Sequence, residues 1–197
     1  MTEGGNEMEQ ARRIEQDLGY VRDVVSRSEG GRTPRAIWYM WAAIGAVGFA
    51  LIDFRPPWVP VFWAIAGPVG FLLSVWLGVR HSRTSGQESR QEGYAHMLHW
   101  GGMGGAIVLL VFFAARGHLT GVELAQTILL VVALGYFLAG VHLARPLVWV
   151  GLALAGSFFA VEFIDGYVWT AVGVVMALAL VVTAHMSGEV RGAAARP

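Results

Sequence analysis

The sequence predicts an all-α fold, a polytopic integral membrane protein with six transmembrane helices arranged as three hairpins and preceded by a cytoplasmic amphipathic helix. Three observations support this prediction. Hydrophobic residues make up 55% of the 197-residue chain and charged residues only 14%, whereas soluble domains carry about 25% charged residues. The charges lie almost entirely outside six long apolar runs, which is typical of membrane-spanning segments. The placement of the arginines then predicts how those runs are oriented.

Residues 1–35 form a polar segment in which four apolar residues recur at helical spacing. The steps of four, three and four residues predict an amphipathic helix with a short coiled-coil-like seam. Contact with a second copy or another protein is the preferred interpretation, because acidic residues offset the arginines of this segment and disfavour simple lipid binding. Attachment to the inner membrane surface is the alternative. The seam consists of Ile14, Leu18, Val21 and Val25.

Residues 36–186 form the predicted transmembrane domain, and residues 187–197 form a short cytoplasmic tail. A helix needs about 20 residues to cross the apolar layer of a bilayer, which is about 30 Å thick. Tight connections at residues 55–58, 116–121 and 165–167 join the spans in pairs. The predicted spans are Ile37–Phe54, Val59–Val79, His99–Ala115, Val122–Leu143, Leu147–Ile164 and Val168–His185.

The chain is interpreted as a protein of the bacterial cytoplasmic (inner) membrane, and the placement of its arginines predicts that both termini lie in the cytoplasm. With that orientation, twelve of the fourteen arginines lie inside, and only Arg55 and Arg116 lie outside, as the positive-inside rule requires. The chain has no lysine, which excludes a retinal-type Schiff base, and no cysteine, which excludes disulfides and thiolate metal sites. Its net charge of zero gives no bulk attraction to nucleic acid.

Small residues predict where helices pack, because lipid tails give apolar helices no hydrophobic reason to associate. Gly101 and Gly105 form one such pair, and Gly151 and Ala155 form another. Pro68 lies inside the second span, where it removes a backbone hydrogen bond and predicts a kink. Such a kink is either a packing feature or a hinge.

Four acidic residues lie at the predicted outer ends of the spans. Ionisable groups in a membrane are costly and therefore suggest function, but these lie near the interface, where the cost is smaller. They are interpreted either as solvated or salt-bridged helix ends or as an outer vestibule that gathers a cation or proton. Glu162 is a candidate to pair with Arg116 or Arg55. The four residues are Asp53, Glu123, Glu162 and Asp165.

Five of the six histidines lie at the predicted cytoplasmic boundary. His96 and His99 are three residues apart and share a helix face, and His142 ends another span. Imidazoles from different helices at one depth can ligate a metal or haem. The competing interpretation is that they are interfacial histidines, and no cofactor is predicted.

No catalytic motif or paired catalytic carboxylate occurs in the chain. The expected function is therefore that of a non-enzymatic membrane component, either a homo-oligomer or an accessory subunit with a scaffold or regulatory role. A small ion or small-solute channel or transporter is the alternative, and a His-ligated haem or metal redox protein is the second alternative. The expected partners are membrane lipids and either a second copy or another membrane protein, with no nucleic acid.

Overall fold

The computed structural model describes residues 33–85 and 90–194, together with the single residue Gly19, and describes side chains over 33–83 and 93–186. The predicted N-terminal seam lies outside the described residues. Over the described ranges the chain is helical and contains no strand, so the all-α prediction is confirmed there. The six helices are α1 Arg35–Phe54, α2 Val59–Ser85, α3 Arg90–Ala115, α4 Gly121–His142, α5 Leu147–Phe163 and α6 Val168–Ala194.

Five of these helices are long and apolar enough to cross a membrane, namely all except α5. The apolar helix α5 has 17 residues, which corresponds to about 25 Å of rise. That length is below the roughly 30 Å of a hydrocarbon core, so the sixth span stays a prediction. Helices α2, α3 and α6 extend beyond the apolar runs into polar sequence, because helical backbone bonding does not require apolar side chains.

The helices contact one another in the order α2, α1, α6, α5, α4, α3. Consecutive helices touch except for α2 and α3, and the most extensive contacts join α1 to α6 and α4 to α5. The strongest packing is therefore between helices of different predicted hairpins. Within the described ranges, α2 and α3 occupy opposite ends of this order, although only residues 86–89 separate them in the chain.

The buried core is built by α1, α4, α5 and α6. Leu129, Val150, Leu154 and Leu180 have no exposed surface. At one end of the α1–α6 contact, the rings of Phe49 and Trp169 stack with centroids 6.1 Å apart and planes 7° apart. By contrast, the described residues of α2 and α3 contribute no fully buried side chain to this core, although Trp100 of α3 packs against it. The most apolar segments of these two helices are 6% and 0% buried.

Glycines set the closest helix approaches. A Cβ at Gly151 of α5 would meet the backbone of Phe137, and one at Gly140 of α4 would meet the backbone of Val148. Gly48 of α1 accommodates the ring of Trp63 from α2, and a Cβ at Gly70 would lie 3.2 Å from the ring of Trp41. Helix faces without Cβ atoms thus allow the van der Waals contact that holds helices together in lipid.

Candidate functional site

The loops at residues 55–58, 116–120 and 164–167 lie at one end of the molecule, which we call the predicted outer end. The four acidic candidates lie at or near this end.

Asp53, near the end of α1, binds the start of α6. Its carboxylate accepts hydrogen bonds from Thr170 of α6. The backbone N–H of Thr170 lies 2.7 Å and its hydroxyl 2.6 Å from the same Asp53 oxygen. The first N–H groups of a helix have no partner within the helix, and an anion there also complements the helix dipole. Asp53 therefore caps α6 and holds it against α1.

Glu123 belongs to a capping box at the start of α4. Its carboxylate accepts a bond from the backbone N–H of Thr120 at 2.7 Å, and the Thr120 hydroxyl accepts one from the Glu123 N–H at 3.3 Å. This reciprocal arrangement satisfies two N–H groups that the helix itself leaves without partners. Glu123 thus has a local role in starting α4.

Glu162 links α5 to α4 through a neutral partner. Its carboxylate accepts a hydrogen bond of 3.1 Å from the side-chain amide of Gln126. The expected pairing of Glu162 with Arg116 or Arg55 is not among the contacts of the described residues. Sequence reasoning missed Gln126, although its position one turn from the start of α4 placed it at the same depth as Glu162.

Asp165 lies in the exposed α5–α6 loop, at the rim of a cleft between the two helices. The cleft encloses about 310 Å³ and is lined mainly by apolar side chains, with Ser157 and Tyr167 also contributing. Asp53, Glu123 and Glu162 do not line it, and each of them bonds elsewhere. The structure thus brings one member of the predicted vestibule to a cleft and gives the other three separate bonding partners.

The histidine candidates lie on two helices. The Nε2 of His99 on α3 donates to the backbone carbonyl of Gly135 on α4 at 2.9 Å, so that nitrogen carries a proton. Beside it, Trp100 meets Tyr136 edge-on at 5.3 Å. These contacts attach α3 to α4. His96 lies one turn earlier on α3, and His142 is exposed at the last residue of α4.

Within the described ranges, no group of three or more His, Cys, Asp or Glu side chains is placed to hold a metal ion. Two imidazoles alone could bind a haem axially, but His99 already uses Nε2 for the bond to α4. A ligand role for His99 would therefore require its Nδ1 or the loss of that interhelical bond.

The predicted small-residue pairs have different surroundings. Gly151 lies against α4, and Ala155 is partly buried against the core. Gly101 and Gly105 are exposed, and a Cβ at either would meet nothing within 4 Å. Helix α3 instead contacts α4 through Met103, whose side chain occupies the space beside Gly135. The glycine pair of α3 therefore lies on a face with no neighbour in the described chain.

Pro68 lies on an exposed face of α2, and the helix runs from Val59 to Ser85 through it. The prediction that Pro68 acts as a hinge or packing kink stays a prediction.

A hydrogen bond joins α2 to α1. The indole N–H of Trp41 on α1 donates to the Ser74 hydroxyl on α2 at 3.0 Å. That hydroxyl donates in turn to the Gly70 carbonyl at 2.8 Å, so α2 is attached to α1 by a short polar chain.

No protein-family model, curated protein or solved structure matches this chain. Function must therefore be inferred from the residues and their geometry.

Proposed function

We propose that this protein is a non-enzymatic component of the bacterial inner membrane that acts as an oligomeric or accessory subunit of a membrane assembly, with a scaffold or regulatory role. The observation that carries the proposal is the open glycine face of α3. In the run GGMGG, Gly101, Gly102, Gly104 and Gly105 all have free space where a Cβ would lie.

Glycine inside a helix is destabilising by about 0.5–1 kcal/mol relative to alanine, so four glycines within five residues weaken α3. Such a run is useful where another helix must approach closely. Within this chain, glycines such as Gly48, Gly140 and Gly151 serve that purpose against neighbouring helices. A helix from a second copy or from another membrane protein would use the α3 face in the same way.

The position of α3 supports the same proposal. It lies at one end of the helix order and contacts only α4 among the described helices, so its opposite side is accessible to another membrane helix. The predicted N-terminal seam of Ile14, Leu18, Val21 and Val25 would supply a second contact outside the membrane.

The proposed orientation places both termini in the cytoplasm. Among the described side chains, Arg35, Arg80, Arg83 and Arg145 lie at the end opposite Arg55 and Arg116, and the eight remaining arginines would join the first group. This asymmetry supports the orientation through the positive-inside rule. Fusion of a cytoplasm-dependent reporter to either terminus would test it.

A glycine substitution tests the assembly proposal directly. Gly105→Leu fills the open α3 face, whereas Gly156→Leu adds the same bulk at an exposed glycine of α5 that also has nothing within 4 Å. Native mass spectrometry on gently extracted protein should show an oligomer or a co-purifying protein for the wild type and for Gly156→Leu. Gly105→Leu should release the single chain.

Two outcomes would overturn the proposal. A wild-type protein that is monomeric and carries no partner would remove the assembly role. An assembly unchanged by Gly105→Leu would remove the α3 face from it. Deleting residues 1–35 provides an independent test, since an unchanged assembly state and unchanged partners would show that the N-terminal helix has no part in it.

A small ion or small-solute channel or transporter is the second candidate, and the outer cleft with Asp165 at its rim is the observation that favours it. In liposomes, flux should then fall when Asp165 and Glu162 are changed to Asn and Gln. Flux that survives these changes would exclude Asp165 and Glu162 as the entry site for the ion or solute.

The haem or metal alternative predicts that the purified protein is coloured or contains metal. A colourless, metal-free sample would exclude this alternative.

A further inference from the structure

One end of α2 carries a basic and aromatic surface that the proposed assembly role does not use. Trp76, Val79, Arg80 and Arg83 line a depression of about 310 Å³. The Arg80 guanidinium lies over the Trp76 ring, 5.4 Å from its centroid. The four residues are spaced at three and four positions, so they share one face of the helix.

The chemistry of this surface fits a phosphate ester at a membrane interface. Guanidinium groups bind phosphate oxygens through paired N–H donors, and Arg80 and Arg83 lie one turn apart. The sequence of α2 contains no acidic residue. Trp76 is of the residue type enriched at the headgroup level, where its ring is in apolar surroundings and its N–H meets polar groups.

The same face of α2 continues from the arginines as an apolar stripe. Ile65, Val69, Leu72 and Trp76 are exposed by 61%, 48%, 66% and 54%. From Ile65 to Trp76 the helix rises by about 16 Å, which is close to half of the roughly 30 Å hydrocarbon core. The stripe therefore has the length of one leaflet, with the basic residues at its headgroup end.

This face is open because of the position of α2 in the fold. Among the described helices α2 contacts α1 and the adjoining turn Pro56–Trp58, and it lies at the end of the helix order. Its contacts with α1 involve the other side, through Trp63, Gly70 and Ser74. A lipid could thus lie along the stripe without displacing any of the described helices.

We propose that this surface is a binding site for an anionic phospholipid. The phosphate lies between Arg80 and Arg83, Trp76 contacts the glycerol region, and an acyl chain follows the stripe from Leu72 towards Ile65. The proposal requires the chain to lie in a membrane but does not depend on the assembly role.

Native mass spectrometry of the full chain in detergent, with equimolar dioleoyl phosphatidylglycerol and dioleoyl phosphatidylcholine, tests the site. The wild type should retain the anionic lipid preferentially. The double variant R80Q/R83Q should lose about fivefold of that preference for each arginine, because each basic side chain near an anionic surface contributes about that factor. R80K/R83K keeps both charges but loses the paired N–H donors of guanidinium, so its preference should lie between those of the wild type and R80Q/R83Q.

Arg145→Gln is the matched control, since Arg145 is an exposed arginine at the same end of the molecule. It should leave lipid selectivity close to that of the wild type. Equal retention of the two lipids by the wild type would overturn the proposal without reference to any variant. The same loss per removed arginine in R145Q as in R80Q/R83Q would also overturn it, because it would reduce the effect to overall charge.

Discussion

Replacing Gly151 with alanine should destabilise the protein by opening the contact between α4 and α5. A Cβ at Gly151 would lie 2.7 Å from both Cα and Cβ of Phe137 and closer still to its backbone nitrogen, whereas ordinary contact begins at 3.4 Å. The obstructing atoms include the backbone of α4, so no side-chain rotation can relieve the overlap. The two helices must separate locally by about 0.7 Å or more, since carbon atoms pack best at about 3.5–4.0 Å.

The energetic cost follows from that displacement. A gap of 0.5–1 Å loses about a quarter to a half of the dispersion attraction of the atoms along the contact, and overpacking in a close-packed interior typically costs about 1–3 kcal/mol. The better helix propensity of alanine offsets at most about 1 kcal/mol. We therefore expect G151A to lower the free energy of unfolding by about 1–2 kcal/mol, which for a chain of this size lowers the melting temperature by about 2–8 °C.

The assay is thermal unfolding in detergent, followed by intrinsic fluorescence and by the fraction that stays monodisperse. Gly156→Ala is the matched control, because Gly156 lies on the same helix, is exposed and has nothing within 4 Å. G156A should melt at or slightly above the wild-type temperature. The reasoning is refuted if G151A melts with the wild type or if both variants lose the same stability.

Three further substitutions test the polar contacts between helices. Asp53→Ala should destabilise the protein by about 1–2 kcal/mol through loss of the α6 cap, whereas Asp165→Ala in the exposed loop should have little effect; equal melting temperatures would contradict the capping role. His99→Ala should lower the free energy of unfolding by about 0.6–1.7 kcal/mol, the range for hydrogen bonds between membrane helices, and should speed proteolysis of α3. His142→Ala, the control, should change neither the stability nor the rate of proteolysis. Ser74→Ala should cost about 1 kcal/mol by removing the acceptor of an indole N–H and should shift tryptophan emission; an unchanged spectrum and melting temperature would exclude that bond.

The apolar runs predicted the helices well because an apolar segment long enough to cross a bilayer can satisfy its backbone polar groups there only as a helix. The predicted run Ile37–Phe54 lies within α1, and Val59 and Val168 begin α2 and α6 as expected. The predicted helix ends were less accurate where a helix continues from apolar into polar sequence. Helix α2 continues from the predicted end at Val79 to Ser85, since hydropathy measures lipid compatibility and not helix length.

The contacts between helices were much harder to predict. The hairpin interpretation treated α1 and α2 as a unit, yet α1 packs most extensively on α6. Apolar residues cover several sides of a membrane helix, so hydropathy does not identify the side that meets a neighbour. The glycine pairs show the same limit, because Gly151 lies against another helix of the chain whereas Gly105 does not, and the small-residue pattern alone is similar at both.

The acidic residues show why the candidate site could be located but not interpreted from sequence. Position along the spans correctly identified Asp53 and Glu162 as residues near helix ends. Their partners, Thr170 and Gln126, are ordinary polar residues on other helices. Only the three-dimensional arrangement distinguishes a cap or an interhelical bond from a solvated vestibule.

The pairing of α1 with α6 has a consequence for biosynthesis. Asp53 and Thr170 lie 117 residues apart, so at a synthesis rate of about 5–20 residues per second α6 follows α1 by roughly 6–23 s. In the proposed membrane protein, α1 would wait in the bilayer during that interval, with Gly45 and Phe49 exposed to lipid or to an insertion factor instead of to α6. Completion of the core therefore depends on α6, and a chain truncated before α6 should leave α1 available for other partners.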